Sequence, residues 1–436
     1  MADLVNTAAV APSAPASAAV EAAVAGSTVR RTLVVTFAML FYQGFTMAIN
    51  GIAAPWIAKS FQLAESGIAR VYAWISFAAI GALILSRLAD RVGRRRVLLW
   101  CMAATPLCAL AAAASTALPL FIIFEICLYA FIAATIASSV VLLAEALPTE
   151  QRARGQSLGG FAMGVGGGLC VLLMPILDGA GYSWRWLLIL SGAGLLGLPL
   201  VMRMIPESAH WERAAASGAT RTAGFSVAFG GRYRRRAVPL TVCALLTNMA
   251  FAAATSWGYF HAVSVVGLSA AATSTMILVG GGVSMLGFPL GAATCERFGR
   301  VPTVVISGLL VATGSVFFYW GPPARCTFPA GWLGAGFCWF MTAVNAATVG
   351  GNSAATELFP TAVRGTVIGW FALITAVGSV LAQGAIALLA QPLGGLSVVV
   401  GYLALLTIPS ACIFGMFVDE TRGLTLEVAA SEVAGE

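Results

Sequence analysis

The chain has 436 residues, 59% of them hydrophobic and 9% charged, with a formal net charge of +7. An average soluble domain carries roughly 25% charged residues, so a water-soluble fold of this length is excluded. A bilayer accommodates such a chain. Each span of about 20 apolar residues crosses the hydrocarbon core and must be helical to satisfy its own backbone polar groups.

Residues 1–27 form an Ala/Pro/Ser-rich tail without a basic start or a compact apolar core. It does not read as a cleaved signal peptide, and its composition predicts disorder. Apolar runs bounded by charges or turn residues then predict spans over 32–54, 69–88, 97–115, 119–144, 157–178 and 185–204. A second set follows over 238–261, 272–294, 301–320, 329–350, 364–389 and 395–417. The expectation is an all-α integral membrane protein with 12 transmembrane helices in two pseudo-symmetric six-helix bundles. The bundles cover 28–204 and 238–418, with a linker over 205–237 and a tail over 419–436. The linker holds Arg221, Arg232 and the run Arg234-Arg235-Arg236, which suits a solvated segment near anionic headgroups.

These spans leave Lys59, Arg70, Arg185 and Arg325 on one side of the membrane and the rest of the 24 Lys and Arg residues on the other. The positive-inside rule then puts both termini in the cytoplasm. The basic balance is therefore a topology signal, and no nucleic-acid partner is implied. Cys101, Cys108, Cys127, Cys170, Cys243, Cys338 and Cys412 sit within apolar runs, while Cys326 faces outward. They predict neither a metal site nor a disulfide framework.

Two patterns recur in the two sets. Asp90-Arg91-Val92-Gly93-Arg94 is matched by Glu296-Arg297-Phe298-Gly299-Arg300. Glu145, Pro148, Thr149 and Arg152 are matched at identical offsets by Glu357, Pro360, Thr361 and Arg364. Duplicated halves place a substrate path between them near the bilayer midplane. Glycine permits a tight loop, and in the first copy the Asp90 carboxylate can cap a neighbouring helix N-terminus.

On these residues the chain resembles the major facilitator superfamily, over nearly all of its length after the tail. The resemblance implies that Asp90, Arg91, Gly93 and Arg94 are gate elements, with Glu145 and Arg152 as partners. The second copy would supply Glu296, Arg297, Gly299, Arg300, Glu357 and Arg364. Ser86 and Ala292 stand where the signature usually has glycine; both are small. Pro206-Glu207-Ser208 with Trp211, and Asp419 to Glu427, are similar to the helix-end signatures of sugar porters and organic-acid symporters. Gly160-Phe161-Ala162-Met163-Gly164 with Gly166-Gly167-Gly168 is similar to the fifth span of aromatic acid:proton symporters; these small residues also suit close helix packing. The Gly-Pro pair of drug antiporters is absent, because Val165 follows Gly164.

Two departures bear on function. Gln43-Gly44-Phe45-Thr46 stands where the aromatic-acid branch carries two acids, and Glu125 stands where the family usually presents an arginine. Glu125 is the one acid well inside an apolar run. Such residues usually face a cavity and carry function, and desolvation favours the neutral form of a carboxyl. Glu125 is therefore the candidate for binding a coupling proton or a polar group of the substrate; a structural role at a wetted span end is its alternative. Further candidate cavity residues are Gln43, Thr46 and Asn50, which share one helix face, with Asn248, Trp257, Asn345 and Trp370. For each, hydrogen bonding between packed helices is the rival reading. Tyr259 and His261 end the seventh span, where aromatic belts are common.

An enzyme would need a convergent catalytic constellation. The two histidines, His210 and His261, are far apart in the chain, and no phosphate-cradling Gly-Lys loop is present. No catalytic residue, cofactor or metal is expected. The reading is a monomeric inner-membrane carrier for a small organic solute. The resemblance implies proton-linked uptake of an aromatic organic acid; export of a small metabolite is the alternative, and a membrane sensor or enzyme the distant one.

Overall fold

The computed structural model describes residues 14–146, 149–205, 233–321, 328–359 and 361–422. Among them are 12 helices long and apolar enough to cross a membrane, and no strand. In chain order the first six are α1 (Arg30–Ser60), α2 (Glu65–Ala89), α3 (Arg95–Ala114), α4 (Leu118–Ser139), α5 (Leu158–Gly179) and α6 (Arg185–Met204). The second six are α7 (Arg234–Ser256), α8 (Ala270–Phe298), α9 (Arg300–Tyr319), α10 (Pro329–Ala355), α11 (Gly369–Leu389) and α12 (Leu396–Phe417). Every span predicted from apolar runs has its helix. The helix carrying α1 begins at Ala14, so residues 14–27 are helical where composition predicted disorder.

Two breaks in these helices share a local cause. The helix of α8 is interrupted at Met285 and Leu286, four and three residues before Pro289, and that of α12 at Leu405 and Leu406, four and three before Pro409. A proline lacks the N–H that would reach back four residues and clashes with that carbonyl. The helix of α7 ends at Trp257 and continues through a short turn into a π-helical segment, His261–Val265. The two repeated loops turn on glycines with positive φ, Gly93 at 115° and Gly299 at 110°, a conformation costly for any residue with a Cβ.

Packing defines two ends. The motif end carries Gly93 and Gly299, and the far end carries Ser60, Glu65 and Gly395. At the far end one hydrophobic core runs through both halves, joining Ile49, Ile57, Tyr72 and Leu187 to Trp257, Phe318, Phe340 and Leu396. Toward the motif end the core splits into clusters that each belong to one half: Val35, Leu98 and Val201 in one, Ala89 and Val97 in another, and Leu240, Phe359 and Phe414 in a third. Consistent with this, the Glu65–Ser76 segment of α2 packs closely along α11, whereas the helix that continues it over Ala78–Val92 barely touches it. Among the described residues the halves thus join at the far end and part toward the motif end. The outer surface displays Trp74, Ile84, Leu196 and Leu388, the apolar face a bilayer covers.

Candidate functional site

Glu125 lies on α4 with no exposed surface, so the wetted-end alternative does not hold. Its Oε2 accepts a hydrogen bond from Asn50 Nδ2 on α1 at 2.7 Å. The Asn50 backbone carbonyl accepts from the Tyr72 hydroxyl on α2, and the Tyr129 hydroxyl donates to the Met47 carbonyl at 2.7 Å. Among the described residues, Glu125 Oε1 and Asn50 Oδ1 are buried with no hydrogen-bond partner. Four elements of chemistry thus converge from α1, α2 and α4: a carboxyl, an amide and two phenols.

This cluster touches the boundary between the halves through Tyr72. The Tyr72 ring lies 4.9 Å from that of Trp257 on the opposite half. Trp257 is fully buried, donates from Nε1 to Gln383 Oε1 at 3.0 Å and meets the Phe260 ring edge-on. A second aromatic contact across the boundary joins Trp56 to Tyr259 at 6.0 Å. Beside it, His261 is buried, with Nδ1 2.7 Å from Ser397 Oγ.

The other candidates are used within their own halves. Gln43 is buried with Nε2 at 3.4 Å from the Met102 sulfur on α3, and Thr46 Oγ1 lies 2.8 Å from Ser191 Oγ on α6. The helix face shared by Gln43, Thr46 and Asn50 thus looks into the first bundle rather than across to the second. Asn248 accepts from Ser379 at 3.0 Å, Trp370 donates to Thr241 at 3.0 Å, and Asn345 donates to the Ser284 carbonyl at 2.9 Å. All three tie helices of the second half together. Tyr72, Tyr129 and Gln383 carry no mark in the sequence comparable to Glu125, although a glutamine in an apolar run is a signal of the same kind as Asn248.

A model of the Major Facilitator Superfamily matches residues 35–383. The chain belongs to this superfamily. Relatives include a gallate transporter of Pseudomonas putida, 31% identical over 46% of this chain and 45% of the relative. A gentisate transporter of Corynebacterium glutamicum is 21% identical over 85% of this chain and 83% of the relative. The match to the gallate transporter spans less than half of its length. Among solved structures, the partially occluded, inward-open form of the Escherichia coli xylose transporter superposes with a TM-score of 0.71 at 16% identity, covering 92% of this chain and all of the other. That likeness bears on the fold.

In this superfamily member the described part of the second copy of the loop signature runs from Glu296 to Arg300, with Glu357 beside it. Arg300 grips Glu357 with two parallel bonds, Nε to Oε2 at 3.0 Å and a terminal guanidinium nitrogen to Oε1 at 2.9 Å. Thr421 Oγ1 donates to the same carboxylate at 2.5 Å. Glu420 accepts from the backbone N–H groups of Arg300 at 2.9 Å and Val301 at 3.0 Å. Burial pushes the Glu420 carboxyl up, but four backbone N–H donors, of Arg300, Val301, Arg422 and Thr421, hold it below the usual carboxylate value. The acid capping α9 is therefore Glu420 from the carboxy-terminal segment, and not the motif's own acid; Glu296 and Arg297 are exposed. Gly299 serves twice, because a Cβ there would also strike the Glu420 carboxylate. In the first copy, Gly93 adopts the matching turn. The side chains of Asp90, Arg91, Arg94, Glu145 and Arg152, and of Arg364 in the second copy, lie outside the described residues. Among those described, no cluster of three or more His, Cys, Asp or Glu could hold a metal ion.

Proposed function

We propose that this chain is a secondary active carrier that takes up a small aromatic organic acid together with protons, by alternating access between its two halves. Glu125 binds the coupling proton. The observation that carries this reading is the position of Glu125: a fully buried carboxyl, bonded to Asn50, one tyrosine away from the aromatic boundary with the opposite half. Opening of the far end would separate Tyr72 from Trp257 and expose the carboxyl there, while closing seals it. Gallate and gentisate in the names of two relatives support an aromatic acid as cargo. The superfamily fold and the basic-residue asymmetry support a multi-pass protein of the inner membrane, with its motif end and both termini in the cytoplasm, working as a monomer.

The test is uptake by purified protein in proteoliposomes, with a panel of aromatic acids and with or without an inward proton gradient. The gradient drives accumulation in the wild type. Glu125→Gln abolishes gradient-driven accumulation while retaining exchange of substrate across the membrane. Unchanged gradient-driven uptake in Glu125→Gln removes the coupling role. No transport of any panel member, with or without a gradient, removes the substrate class.

A further inference from the structure

The amide of Asn50 and the carboxyl of Glu125 are both planar two-pronged groups, joined at one prong by the 2.7 Å bond from Nδ2 to Oε2. The other prong of each, Asn50 Oδ1 and Glu125 Oε1, is a buried oxygen with no partner. Asn50 is 4% exposed and Glu125 0%. Leaving a buried acceptor unsatisfied costs about 1–3 kcal/mol, and each of the two side chains holds one. A proton on Glu125 Oε1 that reached Asn50 Oδ1 would remove both penalties at once.

We propose that Glu125 is protonated in this state and donates from Oε1 to Asn50 Oδ1, closing a two-bond acid–amide ring in which Asn50 positions the coupling proton. This rests on the reading of Glu125 as the coupling carboxyl. It adds the partner that holds the proton and the geometry in which it is held.

The surroundings favour a proton over a metal cation or an ionised carboxylate. Within electrostatic reach of Glu125 are Asn50 from α1, Tyr72 from α2, Cys108 from α3 and Tyr129 from its own helix, and Cys170 of α5 is within such reach of Tyr129. No arginine or lysine acts on it among the described residues, so a negative charge there would lack a counter-ion in a dry interior. A metal cation would need several oxygens, as hard cations do. The backbone carbonyls of Asn50 and Met47 already accept from the hydroxyls of Tyr72 and Tyr129. One proton needs only the two oxygens that remain.

The experiment is infrared difference spectroscopy on the full-length protein in lipid at neutral pH, read together with proteoliposome uptake. The expected result is a protonated-carboxyl stretch that vanishes in Glu125→Gln and moves to higher frequency in Asn50→Ala, where both ring bonds are lost. Asn50→Asp, which keeps the shape of the site, is expected to show a second protonated carboxyl. Uptake by Asn50→Ala at a fixed proton gradient is expected to fall at least about tenfold, the equivalent of the one ring bond that holds the proton. A carboxylate band lost in Glu125→Gln, a protonated band indifferent to Asn50→Ala, or a protonated band that appears only when sodium is withdrawn each overturns the ring. If any of these is seen while Glu125→Gln still loses gradient-driven uptake, the coupling role stands and the ring alone falls. If Glu125→Gln keeps that uptake, the coupling role falls.

Discussion

Glu65 stands at the start of α2, and its Oε2 accepts a hydrogen bond at 2.8 Å from the backbone N–H of Leu396, the first residue of α12. The bond joins the two halves. The loop before Leu396 passes through Gly394 and Gly395, with φ of 87° and 133°, and turns the free N–H of the helix toward the carboxylate. Removing a carboxylate from such a helix-capping role costs about 1 kcal/mol, and partial exposure of Glu65 keeps the figure below that of a buried charged bond. The bond exists only while the far ends are together. In the open arrangement water serves both groups, so the loss falls on the closed state alone and shifts the balance toward far-end opening by about fivefold. The assay is a distance distribution between spin labels at Lys59 and Leu393, both exposed, in Glu65→Ala and in the unsubstituted chain reconstituted in lipid. Glu65→Gln, which keeps an acceptor oxygen, should shift less. A far-end distribution identical in all three, or one that narrows toward the closed distance in Glu65→Ala, refutes the reasoning.

Other perturbations test separate parts of the structure. A Cβ at Gly166 on α5 would strike the Phe41 carbonyl oxygen and lie 2.9 Å from the Phe45 nitrogen; both are backbone atoms of α1, so Gly166→Ala should destabilise by about 1–3 kcal/mol, read as a lowered melting temperature in detergent. Gly160→Ala, where nothing lies within 4 Å of the added atom, should melt unchanged. Arg300→Lys replaces a two-pronged grip on Glu357 by a point charge and should cost about 1 kcal/mol; a melting curve superposable on the wild type would show that the grip contributes nothing. The carboxyl of Glu420 is held below its ordinary value in the folded chain, so its cap stabilises above the unfolded value and is lost as pH falls through the lower folded one. Hydrogen exchange at the Arg300 and Val301 amides should therefore be faster in Glu420→Gln than in the wild type at neutral pH. The difference should vanish in acid below the usual carboxylate range, and one that persists there would contradict the assignment.

Much of the architecture was legible because lipid imposes a simple code. A run of apolar residues long enough to span must become a helix, and the predicted spans all recur, with shifts of a few residues at their ends. Gly93 and Gly299 were legible as turns because the same pattern appears twice. The acid that caps α9 was not: it is Glu420, 120 residues away from the N–H it serves, and no local pattern links the two. The polar stripe of Gln43, Thr46 and Asn50 was correctly placed on one helix face. Its direction was not legible, since periodicity places residues relative to one another and says nothing of which neighbour a face meets.

By itself, then, the sequence determined that this protein lies in a membrane, that it crosses twelve times in two related sets, and that Glu125 is an acid where hydrocarbon tolerates few. Hydrophobicity and spacing are local quantities, and they suffice for those conclusions. Only the tertiary structure decided that Glu125 meets Asn50, that Tyr72 carries their cluster to Trp257 on the other half, and that the halves join at the far end. Those contacts bring together residues from different helices, chosen by how helices pack side against side, and no interval along the chain encodes them.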